Sequence, residues 1–127
     1  MGAMKEGQPN TSVSFYLRSN TVRVFIGALR EIGEPQFIRF LINEERMELV
    51  LQPYHRKEFQ SFRVPEGLYH PDSGKYKNMC VHSQAFCRLV AMRLGWDLSV
   101  SYRVPGTVIR QHRIIVFHLR RAQQIRI

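Results

Sequence analysis

The chain is a succession of short runs in which apolar and polar residues alternate, each broken by a turn signal, and only one stretch has the length and spacing of a full helix. A period of two buries one face of a strand and wets the other, so this pattern commits most of the chain to half-buried β-structure. Ser12–Arg18, Thr21–Phe25, Gln36–Ile42, Met47–Gln52, Phe59–Val64, Met79–His82, Ser99–Ile109, Arg113–Leu119 and Gln124–Ile127 read as strands. Ser19-Asn20 and Asn43-Glu44-Glu45-Arg46 read as hairpin turns, and Pro105-Gly106 as an interruption of its strand by a bulge.

Two segments switch to helical spacing. Ile26–Ile32 is a short helix closed by Gly33, with Pro35 preventing its continuation. In Gln84–Leu94 the residues Phe86, Leu89, Val90 and Leu94 fall on one face, behind Ser83 as N-cap and ahead of Gly95 as C-cap. The expected fold is therefore α+β, mostly β: one compact, barrel-like domain over 11–127, following a tag remnant and disordered tail at 1–10. It divides into two similar strand-helix-strand-strand-strand halves, 12–64 and 79–127, joined by the loop 65–78. Two echoes suggest duplication. Ser61-Phe62-Arg63-Val64-Pro65 recurs as Ser101-Tyr102-Arg103-Val104-Pro105, and each helix ends in Gly before an aromatic-Arg strand (Phe37/Arg39, then Tyr102/Arg103). The two imply different registers, so at most one marks equivalent positions.

With 127 residues, 44% of them hydrophobic, the chain can bury a core without staples and is too apolar for disorder. Cys80 and Cys87 are too few for a disulfide framework. No apolar run approaches the length of a membrane span or signal peptide, so a cytoplasmic protein without membrane contact is expected.

No phosphate-binding glycine loop, zinc-protease helix, paired CxxC or nucleophile elbow occurs, and no cofactor is expected. Cys80, His82 and Cys87 form only a loose set of metal-ligand types, without the tight paired spacings of zinc sites, so no metal is expected. Paired carboxylates at catalytic spacing are missing. Metal-free RNA cleavage would need a histidine base and an arginine on the phosphorane, for which His55 beside Arg56 and His112 between Arg110 and Arg113 are the candidates. Solvated charge in two hairpin loops accounts for both more simply, and the protein is expected not to be an enzyme.

The basic residues carry more information. Nineteen Lys+Arg stand against ten Asp+Glu, and fifteen of the nineteen are Arg. Residues 1–63 have a net charge of +2 and residues 64–127 a net of +7. Arg favours bidentate phosphate contacts and stacking on bases. Arg88, Arg103, Arg110, Arg113, Arg120 and Arg121 are the candidate nucleic-acid contacts, with Arg110, His112 and Arg113 expected to crowd a loop tip free of acids. Arg23, Arg39 and Arg63, like Arg103, also fit the plain alternation of a solvated strand face.

Thr21–Pro53 resembles the swapped-hairpin module of AbrB-type transcription factors, through Leu29-Arg30-Glu31-Ile32-Gly33 and Met47-Glu48-Leu49-Val50-Leu51-Gln52-Pro53. It departs from that pattern where Phe25 and Ile26 replace a Pro and where Glu34-Pro35-Gln36 replaces Gly-Asp. The resemblance implies a small barrel whose strand-borne Arg residues contact DNA; the sliding-clamp domain is a second fold analogy. The expected function is a DNA-binding regulator or mobile-element accessory factor, with DNA or RNA as partner and a homodimer possible through exposed edge strands. The alternatives are a protein-binding adaptor, using an aromatic patch of Phe59, Phe62, Tyr69 and Tyr76, and the metal-free ribonuclease.

Overall fold

Hairpins form where the turn residues stand, and one antiparallel sheet collects all of the strands. A computed structural model describes residues 11–58, 61–70 and 78–125. The elements are β1 (Thr11–Tyr16), β2 (Thr21–Phe25), α1 (Ile26–Glu31), β3 (Phe37–Asn43), β4 (Glu48–Tyr54), β5 (Ser61–Arg63), β6 (Asn78–His82), α2 (Gln84–Leu94), β7 (Ser101–Ile109), β8 (Ile114–His118) and β9 (Gln123–Ile125). The strand order is β5-β3-β4-β8-β7-β1-β2-β6, with β9 added to β7. The sheet curls into a nearly closed barrel around Val13, Phe15, Val22, Val24, Ile38, Leu49, Leu51, Val104, Ile115 and Phe117, all fully buried. Mostly-β architecture, two helices and a single domain are as the alternation predicts. The tail at 1–10 lies outside the described residues, as do residues 71–77 of the loop.

The barrel has an internal near-twofold arrangement. β4 pairs antiparallel with β8, and β2 with β6, so β2-α1-β3-β4 faces β6-α2-β7-β8 across both ladders. The hairpins β3–β4 and β7–β8 match in detail: each has four residues between its strands, and the last of the four, Met47 or Arg113, takes a left-handed φ of 50° or 53°. The third strands of the expected halves do not correspond. β9 lies on the same edge of β7 as β8, whereas β5 lies on the edge of β3 opposite to β4. The counterpart of β5 is β1, which flanks β7 on that edge. The Ser61/Ser101 echo therefore joins non-equivalent strands, and the glycine-ended helices are the echo that marks the repeat.

Two further expectations change. β7 runs through Pro105 and Gly106 in unbroken register with β1, without a bulge. Pro105 falls in the gap between the residues paired with β9 and those paired with β8, so on that edge its missing N–H leaves no ladder bond unmade. The α2 helix starts and stops where Ser83 and Gly95 predict, with Phe86 N–H donating to Ser83 Oγ at 3.2 Å and Gly95 left-handed at φ 67°. Its buried face is Cys87, Val90 and Ala91, so of the expected Phe86–Leu89–Val90–Leu94 stripe Val90 alone is fully buried and the helix is turned by about one position. Small residues let the helix approach the sheet closely, and Phe86 and Leu89 are left half-buried at its side.

Candidate nucleic-acid interface

Strand pairing decides which cations share a face. Val13 and Phe15 point into the core, so Ser14 between them belongs to the outward face of β1. Ser14 is opposite Arg23 on β2 and Arg103 on β7; Arg23 in turn faces Cys80 on β6, and Arg103 faces Gln123 on β9. One row across five strands thus reads Cys80, Arg23, Ser14, Arg103, Gln123. Ser14 is fully buried although it faces outward, as expected for a small side chain between two long arginine stems about 4.8 Å away on either side. Among the described residues its Oγ has no hydrogen-bond partner, and neither has the buried Nε of Arg23. The Arg23 guanidinium lies over the Tyr16 ring, 4.8 Å from its centroid. β1, β2, β6, β7 and β9 contain no Asp or Glu.

Outside that row, four arginines meet acids among the described residues. Glu34 meets Arg30 at 3.5 Å, Glu44 meets Arg93 at 2.7 Å, and Glu58 accepts from Arg56 at 2.7 Å. Glu31 meets Arg110 at 3.3 Å. This last contact overturns the acid-free loop tip: the β7–β8 turn is tied to the C-terminal end of α1. The Arg113 side chain packs there too, its Nη1 3.5 Å from where a Cβ would stand on Gly33. Arg103 and Arg110 are seven residues apart along β7, roughly 23 Å, so they do not share one patch.

The remaining predicted contacts disperse. Arg120 and Arg121 are exposed in the turn between β8 and β9, and Arg121 is two residues before Gln123, the β9 partner of Arg103. Arg88 is exposed on α2. Arg39 is held by Gln52 at 2.9 Å and lies over Tyr54. The row thus recruits Arg103 from the predicted set and adds Arg23, Ser14 and Tyr16. Alternation already put Arg23 and Arg103 on strand faces; which strands neighbour each other is what a single sequence does not carry.

The other candidates can be placed as well. Cys80 and His82 face outward on β6, whereas Cys87 is buried on α2, its thiol pushed up to about 11 by burial, so the three do not converge. His55 and His112 are exposed at the same end of the β4–β8 ladder, His55 with its ring against Tyr54. Tyr69 turns inward, donating to Pro35 O at 2.7 Å, and burial raises its hydroxyl to about 12. Phe62 packs beside Phe40, while Phe59 and Tyr76 lie outside the described residues. No family model, curated protein or solved structure matches the chain.

Proposed function

We propose that the protein binds nucleic acid through the outward face of β2, β1, β7 and β9, with Arg23 and Arg103 contacting phosphates. One observation carries this reading. Two arginines on acid-free strands flank a buried hydroxyl, and among the described residues neither that hydroxyl nor Arg23 Nε has a partner. The exposed Arg103 guanidinium and the partly exposed Arg23 side chain are placed to donate to phosphate oxygens, and hydrogen bonds between ionised groups are the stronger kind. The net charge of +9 draws a polyanion in from a distance, and Arg120 and Arg121 extend the cationic surface beyond β9. The likeness of 21–53 to an AbrB-type module supports a DNA-binding regulator, because strand-borne arginines are what that likeness implies.

Fluorescence anisotropy with short DNA and RNA oligonucleotides across a salt series tests the proposal. Affinity falls linearly on a log–log plot, and Arg23→Gln and Arg103→Gln each reduce the slope by about one. Arg110→Gln, which removes a cation already held by Glu31, leaves the slope close to that of the wild type. A salt-independent response, or equal losses from Arg110→Gln and Arg103→Gln, contradicts the assignment.

A further inference from the structure

The arginine row has a neighbour. Two residues away on each strand, the outward positions read His82, Thr21, Tyr16, Ser101 and Ile125 across β6, β2, β1, β7 and β9. The two rows run side by side on one face, about 6.7 Å apart. Arg23 leans from the first row into the second, since its guanidinium lies over the Tyr16 ring. His82 is the diagonal neighbour of Arg23, one strand over and two residues on, a placement that sets such positions about 7–8 Å apart. His82 is exposed, so its ring and the Arg23 guanidinium border one patch of surface.

The way the ring is held decides what it can offer. Thr21 is buried, and its hydroxyl donates its single proton to Ser19 O at 3.1 Å. The same oxygen stands 3.0 Å from His82 Nδ1 and therefore accepts from Nδ1–H, which leaves Nε2 to face a ligand. In the neutral ring Nε2 is an acceptor and opposes a phosphate oxygen; in the imidazolium both nitrogens carry protons, and Nε2–H donates. The groups that face His82 are Cys80 on its own strand, Arg23 on β2 and Tyr16 on β1. On its other side, the hollow bordered by Phe40 of β3, Phe62 of β5 and Phe86 of α2 has no other ionisable side chain among the described residues. None of these groups is a carboxylate, so a bound phosphate supplies the counter-charge that the face lacks. Resting on the reading of this face as a nucleic-acid interface, we propose that His82 is its third phosphate contact and engages only as the imidazolium. Binding then takes up a proton and tightens as pH falls, because a proton that favours the phosphate is favoured by it in equal measure.

The probe is a fluorescent oligothymidylate, whose bases do not titrate in the range used, and its salt series with the full chain is run at about pH 5.5 and about pH 7.5, where histidine is the ordinary side chain that changes charge. The log–log salt slope of the wild type is expected to steepen by about one at the lower pH, as one added phosphate contact requires. His82→Gln, whose amide can still bond Thr21, holds the shallower slope at both values. His82→Lys, a fixed cation, holds the steeper slope at both. His112→Gln, in the turn after β7, keeps the wild-type difference, which separates this contact from the general gain of charge on acidification. A wild-type slope that is the same at both pH values while Arg23→Gln still lowers it overturns the role of His82 alone. A pH difference that survives in His82→Gln does so too. A flat salt response at both values overturns the interface and this contact together.

Discussion

Gly106 is the direct cross-strand partner of Phe117, and a Cβ there would lie 2.5 Å from Phe117 Cδ1 and 2.8 Å from Cε1. Phe117 is fully buried and cannot swing away, so the ring covers the glycine in the manner of an aromatic packed across a strand gap. Gly106→Ala is expected to destabilise the fold by about 1–3 kcal/mol, the usual cost of overpacking. Gly27, inside α1, has nothing within 4 Å of an added Cβ. Gly27→Ala should raise stability by up to about 1 kcal/mol through helix propensity. Urea denaturation of the two variants gives opposite signs if packing decides, and the same sign if both glycines serve only flexibility. The sequence presents Gly106 as part of a Pro-Gly turn signal; its true role depends on Phe117, eleven residues away and visible only through the pairing.

At the level of elements, caps and turns were legible because their chemistry is local. The hydroxyl of Ser83 accepts from Phe86 N–H, and its own N–H donates to Asn20 O at 3.0 Å, so one residue caps α2 and ties it to the β1–β2 turn. Ser83→Ala removes the first bond and leaves the second, and is expected to cost about 1 kcal/mol. Ser83→Asp should recover most of it, as thermal melts of both can check; a melt unchanged by Ser83→Ala would mean the cap is idle. Hairpin positions were legible for the same reason. The facing of α2 was not, because apolar strength singles out Phe86 and Leu89, whereas close approach to the sheet selects Cys87 and Ala91. The relation of β1 to β5 was equally hidden, since it depends on which edge of β7 or β3 each one occupies.

Across the whole molecule, the excess of arginine was plain in the sequence and its distribution was not. Glu31 and Arg110 are 79 residues apart, and only the folded barrel brings them together and removes Arg110 from the free cations. Long-range neutralisation also shapes the response to pH. His118 sits at the end of β8, its Nε2 2.9 Å from Thr107 Oγ1 and its backbone opposite Glu48. Burial, and secondarily the charge of Arg121, hold its imidazole below the ordinary histidine range, with Glu48 opposing them. The unfolded chain then takes up a proton at about pH 6.5 while the folded protein still resists it, so acidification favours unfolding. The stability contributed by neutral His118 is complete above that value and is lost as pH falls toward the depressed pKa of the folded state. A His118→Gln variant removes this group while its amide can still bond Thr107, so every other effect of pH is common to the two proteins. The difference in urea midpoint between wild type and variant should therefore shrink or reverse in favour of the variant between about pH 8 and pH 5. A difference that stays constant over that range would mean that Glu48 balances burial and Arg121, leaving His118 with no part in the acid response.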